Sequence, residues 1–203
     1  MKKRIIQVSS LILLGFLVQS FTNKQMEAKK KKRKIIEISK TETIHVSAEK
    51  LWDIAGNQFA DAGKWATNVD HSTGNGAPEF SGATCSSRDC DLNAKGFNKI
   101  SEKITSFDEE NMEFSFDVVE GTPGFVTLAS SHWKVNPITD STSSVTITSH
   151  IEMKRFMGGL MGGMLRKNVN ELLPTITNDL KVYAETGEIS ESKKARMAQL
   201  TKK

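Results

Sequence analysis

The sequence predicts an α+β fold: a curved antiparallel β-sheet of about six to seven strands gripping one long C-terminal helix, with two short helices after the first strand. Three observations predict it. Segments with period-two apolar alternation, separated by turn signals, crowd the stretch from Thr84 to Met153. One stretch near the C-terminus instead repeats its apolar residues at three and four. Strands grouped between helices, rather than alternating with them, favour α+β over a parallel α/β sheet. A sheet that curves around an amphipathic helix buries both apolar faces. With short helices plugging one end, it tends to leave an apolar cavity holding a few polar groups.

The elements follow in order. Ile35 to Val46 alternates Ile36, Ile38, Thr43 and Val46 with Glu37, Lys40 and Glu42, as a half-buried strand does. Ser47 is an N-cap candidate for a short helix through Ile54, whose inner face carries Leu51, Trp52 and Ala55. Gly56 to Gly63 is a second short helix or loop ending before Trp65, and Asn68 to Pro78 a short strand and turn. Strands are then predicted over Thr84–Leu92, Phe97–Phe107 and Met112–Val119, with turns at Asn93–Gly96 and Asp108–Asn111. The third is the cleanest: Met112, Phe114, Phe116 and Val118 share one face. Gly121–Gly124 turns into Phe125–Val135, and Pro137–Ser141 into Ser144–Met153. A helix over Phe156–Thr186 presents Met161, Leu165, Val169, Leu172, Leu173, Ile176, Leu180 and Tyr183 on one side and stops at Gly187. Gly158-Gly159 and Gly162-Gly163 weaken its first turns, and Pro174 is expected to kink it. The polar stretch 188–203 reads as a mobile tail.

Residues 1–22 read as a signal peptide or signal anchor: Lys2-Lys3-Arg4 precedes a largely apolar stretch from Ile5 to Phe21. This predicts an exported chain, periplasmic or extracellular, with membrane anchoring as the alternative. Residues 23–34 form a basic linker. Its run Lys29, Lys30, Lys31, Lys32, Arg33 and Lys34 opposes translocation, and is either a solvated linker or a polybasic strip touching anionic lipid. The overall charge of +4 comes from the ends of the chain. From Ile35 to Thr186 the count is 13 basic against 21 acidic residues, a net −8. Affinity for phosphates rests on Lys and Arg, so nucleic acid is not an expected partner.

The ordered set of motifs resembles the START-like, helix-grip superfamily (SRPBCC), and within it the polyketide cyclase/dehydrase and lipid-transport branch. The pieces are Val46-Ser-Ala-Glu-Lys-Leu-Trp52 at the first strand-to-helix corner and Trp65-Ala-Thr-Asn-Val69 after the second helix. Gly82 with Arg88, and Gly96 with Glu102-Lys-Ile104, resemble the family's glycine–arginine and glycine–glutamate strand pair. Trp133-Lys-Val-Asn-Pro137 and Leu180-Lys-Val-Tyr-Ala-Glu185 complete the set. The resemblance covers residues 35–187 as one ligand-binding domain. The Gly-Gly pairs, Pro174 and the Cys85/Cys90 pair depart from the pattern.

Glu102 is the most informative single residue. It alternates with Ile100 and Ile104 and therefore points to the apolar face, where a carboxylate must find a partner. Arg88 on the preceding strand is that partner. The pair is either a polar anchor or acid/base group at the cavity, or a structural tie between strands. Candidate ligand-binding residues are Trp65, Arg88, Glu102, Phe114, Phe116, Trp133, Met161 and Leu165. The stretch Phe156–Met164 is either a movable portal or a helix start packed closely on the sheet. His132 and His150 are expected on the outer face. Cys85 and Cys90 lie too far apart on a continuous strand to bridge, so a disulfide needs a bend at Ser86-Ser87. No Cys/His cluster, P-loop or nucleophile motif is readable, so no metal and no cofactor are expected. The leading expectation is a binding module for a hydrophobic small molecule or lipid. The rivals are a cyclase-, dehydratase- or hydrolase-type enzyme with Glu102 as acid or base, and a stress-related or interaction domain whose cavity is filled by its own side chains.

Overall fold

A computed structural model describes residues 33–94 and 97–201. The expectations for residues 1–22, for Lys29–Lys32 and for Gly96 lie outside the described residues.

Seven strands form one antiparallel sheet: β1 (Arg33–Ile44), β2 (Val69–Asn75), β3 (Ser87–Ala94), β4 (Phe97–Asp108), β5 (Glu113–Glu120), β6 (Val126–Thr139) and β7 (Thr142–Lys154). Their order is β1-β7-β6-β5-β4-β3-β2, so the chain meanders from β2 to β7 and β1 closes the far edge. Each hairpin connects neighbours, the simplest antiparallel solution. Ser47 caps α1 (Ala48–Trp52) by accepting from the Lys50 amide at 3.3 Å. A π-turn (Asp53–Asn57), a 3-10 turn (Phe59–Asp61) and α2 (Ala62–Trp65) follow. Trp65 thus ends the second helix rather than following it. The long helix α3 runs from Arg155 to Thr186, unbroken through both Gly-Gly pairs and Pro174. It ends at Gly187, which adopts φ 74° and donates its amide to the Tyr183 carbonyl.

The core is the concave side of the sheet. Phe114 stands opposite Trp133, their ring centroids 5.7 Å apart, and Phe59 meets Phe114 at 5.7 Å and Phe116 at 5.5 Å. Trp52 reaches Phe107 at 5.1 Å from the corner. Such offset and tilted pairs each add about 0.5–1.5 kcal/mol beyond area burial. Bulges at Ser101/Glu102 and Ile104/Ser106 bend β4 and help to curve the sheet.

Four differences from the sequence expectation have identifiable positions in the fold. β1 begins two residues earlier, taking Arg33 and Lys34 from the basic linker, because Arg33 pairs with Glu152 and the Lys34 stem lies beneath Gly158 and Gly162. β3 begins at Ser87, because Thr84 Oγ1 donates to the Asn57 carbonyl and Ser86 N to Asn75, which holds 84–86 as a turn. β6 runs on through Pro137 to Thr139. Residues 191–200 are not an unstructured tail: they form α4 (Glu191–Leu200), capped by Ser190, with Lys193 buried. Its docking is polar, through Lys193, Ser190 and Arg196, so apolar periodicity gave no sign of it. Both histidines sit on the outer face as expected. They are half-buried there, His132 against Ser115 and His150 against Glu37.

Candidate functional site

A cavity of about 280 Å³ lies between the concave face of the sheet, the short helices and α3. Period-two alternation selects most of the strand residues that reach it, Ser130 of β6 reaching it as well between Ala129 and Ser131. From β4 come Ile100 and Glu102, from β5 Phe114, Phe116 and Val118, from β6 Ala129, Ser131 and Trp133, and from β7 Ile147, Ser149 and Ile151. The corner contributes Ile54, Phe59, Ala62, Trp65, Ala66, Asn68 and Val69, and α3 contributes Val169, Leu172, Leu173 and Ile176.

Arg88 and Glu102 are register partners on β3 and β4, and their side chains are 10% and 8% exposed. Arg88 Nε donates to Glu102 Oε2 at 2.5 Å, and Nη1 donates to the Phe59 carbonyl. The guanidinium lies 4.0 Å from the centroid of the Phe59 ring and 5.4 Å from that of Phe116. A charge inside an apolar shell persists only when paired and hydrogen-bonded, and here each partner supplies that for the other. Among the described lining residues, these two are the only charged ones, and they neutralise each other.

The Cys90 thiol lies 3.9 Å from Glu102 Oε2. Burial pushes it up to about 12, with the Glu102 and Asp89 charges adding to the shift and Arg88 opposing it. It is an inert thiol rather than a nucleophile. Cys85 is also free and buried, so no bridge forms between the two.

The corner between α2 and β2 is fixed through its backbone. Thr67 N donates to Asp179 Oδ2 at 2.7 Å, and Lys193 Nζ donates to the carbonyls of Ala66 at 3.1 Å and Val69 at 2.6 Å. The side-chain atoms Trp65 Nε1 and Asn68 Oδ1 are buried there without a protein partner. By contrast, Trp133 Nε1 is satisfied by Ser131 Oγ at 2.9 Å.

Of the eight ligand-binding candidates, the structure brings six together around the cavity: Trp65, Arg88, Glu102, Phe114, Phe116 and Trp133. Met161 and Leu165 are not among the lining residues. The first turns of α3 cross the start of β1, where a Cβ at Gly158 would sit 2.6 Å from Lys34 Cβ. The helix reaches the cavity only from Val169 onward. The Phe156–Met164 stretch does not line the cavity: its Gly158 and Gly162 side packs on Lys34, while Phe156, Leu160 and Met164 are exposed. Sequence reasoning passed over Asn68, Gln58 and Thr122, which also line it. Asn68 had a readable signal, a polar residue set between apolar Ala66 and Val69; Gln58 and Thr122 had none.

Comparison with known proteins agrees with this architecture. The family model described as polyketide cyclase / dehydrase and lipid transport matches residues 36–185. A START superfamily protein from Mycobacterium smegmatis superposes with a TM-score of 0.61 at 16% identity, covering 75% of this chain and 99% of that one. Truncated norcoclaurine synthase from Thalictrum flavum gives 0.62 at 13% identity, covering 76% and 96%. The protein XoxI from Bacillus cereus gives 0.56 at 16% identity, covering 71% and 92%. At these identities the likeness is one of fold. None of the curated proteins matches the chain.

Proposed function

This chain belongs to the polyketide cyclase / dehydrase and lipid transport family, and we propose that it is a binding protein for a compact, hydrophobic, uncharged small molecule held in the cavity. One observation carries the reading: an apolar cavity whose only charged lining residues, among those described, are a mutually neutralised Arg88–Glu102 pair. Ligand pockets usually span about 300–1,000 Å³. A volume of about 280 Å³ therefore suits a small ring system or short chain, and is too small for a two-chain lipid. Burial of apolar ligand surface drives binding at roughly 25 cal/mol per Å². Trp65 and Asn68 also line the cavity, and their indole N–H and amide oxygen are buried without a protein partner. Catalysis is the weaker reading, because Glu102 Oε2 is committed to Arg88 and the one thiol near it is held neutral. The signal-like residues 1–22 support a site of action outside the cytoplasm, with the uncleaved anchor as the alternative.

Intact-mass spectrometry tests this on the protein purified natively from its own cells. The expected spectrum shows a stoichiometric adduct that disappears on denaturation, on a chain shortened by the signal segment. A clean apo mass in repeated native preparations would overturn the binder reading. An adduct the size of a two-chain phospholipid would overturn the size argument.

A further inference from the structure

The first three turns of α3 carry a second feature, separate from the cavity. Phe156, Leu160 and Met164 recur every four residues and are 79%, 67% and 53% exposed. They form one apolar stripe along the helix. Gly159 and Gly163 beside them have open space where a Cβ would stand. The opposite side of the same turns is closed, because Gly158 and Gly162 rest on the Lys34 stem. The stripe therefore faces outward because the helix is pinned from behind, and three large apolar side chains in a row on a surface mark a contact site.

The charge around the stripe has one sign. Between Met153 and Asn170 the sequence has Lys154, Arg155, Arg166 and Lys167 and no acid. The nearest acid on β7, Glu152, is matched by Arg33 and His150; the next on α3, Glu171, lies 3.8 Å from Lys167. β1 enters at Arg33, the register partner of Lys154, immediately before α3. Arg33, Lys154 and Arg155 thus stand where α3 and its stripe begin.

We propose that this end of the molecule, the Phe156–Leu160–Met164 stripe with its surrounding basic residues, docks on an anionic phospholipid bilayer. Apolar side chains projecting from a helix between cations fit the acyl–headgroup boundary, and the lysines and arginines fit the phosphates above it. A second copy of the chain fits poorly, since pairing two such faces brings cation against cation with no acid on the stripe to relieve it. The docking concerns the outer surface of α3 and stands whether or not the cavity holds a ligand.

The test is made on the full chain carrying Phe156→Trp. The three natural tryptophans are 4–6% exposed, so the introduced indole is the one that reports contact with lipid. Vesicles of phosphatidylcholine, with and without phosphatidylserine, contain brominated acyl chains as quenchers. The expected result is quenching that requires phosphatidylserine and fades at high salt. Replacing Arg155, Arg166 and Lys167 with Gln should weaken the interaction at least tenfold. Absence of quenching in anionic vesicles overturns the proposal. So does equal quenching in neutral ones, which would mean apolar adhesion without charge recognition. Occlusion of the stripe, by residues 5–21 or by a second copy in sedimentation, would appear as absent quenching and counts against the proposal equally.

Discussion

The Arg88–Glu102 pair allows a sharp test of how the cavity is held. Removing one member of a buried ion pair costs about 3–5 kcal/mol, because the other charge stays stranded. Both side chains are about nine-tenths buried, so the discount that applies to surface pairs does not apply here. The two single variants should nevertheless differ. After Glu102→Leu, the guanidinium keeps the Phe59 carbonyl and the Phe59 ring, which places the loss near 3 kcal/mol, the low end of the range. After Arg88→Met, the carboxylate keeps only the Cys90 thiol at 3.9 Å, and the arginine's ring contact and carbonyl bond vanish too. That places the loss near 5 kcal/mol, the high end of the range. The double variant Arg88→Met/Glu102→Leu strands no charge and should sit within about 2 kcal/mol of the parent, since replacement by apolar residues of similar volume is often neutral. Urea unfolding of all four proteins, with unchanged m-values, gives the coupling energy. Single losses near 3 and 5 against a double-variant loss of at most about 2 imply a coupling of about 6 kcal/mol or more. If the double variant loses as much as the two singles together, the pair does not hold the cavity in the way its geometry implies.

Three further predictions concern buried groups. Neither Cys85 nor Cys90 should react with a thiol reagent at pH 8 until the protein is unfolded, and rapid labelling of the native state would contradict the burial of both. Cys90 is raised in the fold to about 12 from an ordinary value near 9, so the folded state holds the proton that the unfolded chain releases. Its contribution to stability is complete below about pH 9 and declines by up to about 1.4 kcal/mol per pH unit between 9 and 12. Cys90→Ala should flatten that alkaline slope, and an unchanged slope would refute the assignment. Lys193→Met removes the ammonium from the Ala66 and Val69 carbonyls; Ala66 O keeps the Val69 amide at 3.2 Å, so the cost, about 1–3 kcal/mol for an unsatisfied group, falls on the Val69 carbonyl. The substitution should raise hydrogen exchange at residues 66–70 more than elsewhere; a uniform rise would mean that α4 contributes only global stability.

How much of this was legible in the sequence depended on the type of contact. Period-two alternation placed Phe114, Phe116 and Trp133 on one face, because the pleat enforces it whatever the tertiary structure. It also turned Glu102 inward and so required Arg88 opposite, which the register supplies. Gly187 marked the helix stop because only a left-handed residue was compatible there. Where along α3 the cavity begins was not legible. Helical periodicity gives Met161 and Leu173 the same standing, and only the Lys34 stem under Gly158 and Gly162 separates the part of the helix on the sheet edge from the part over the cavity. The start of β3 was likewise set by distant partners, Asn57 and Asn75, that no local pattern reveals.

The most instructive miss is α4, because it bears on the cavity. The family match ends at Glu185, and α4 begins at Glu191. Its contacts are almost entirely polar: Ser190 Oγ donates to Asp179, Arg196 pairs with Asp70, and Lys193 reaches the carbonyls on either side of Asn68. Burial holds the Lys193 ammonium below its usual range, with the Asp70 and Asp179 charges opposing that shift. A helix that docks by desolvating a lysine gains little from apolar burial, so its contribution is better sought in what it immobilises. That is the corner from Ala66 to Asp70, whose backbone is now held by Asp179 from α3 and by Lys193 from α4, while the side chains of Trp65 and Asn68 keep a donor and an acceptor without a protein partner. On the proposed ligand-binding reading, a wall whose backbone is fixed beforehand meets its ordering cost before any ligand arrives. The helix outside the family match thus acts on the same wall that the family fold builds.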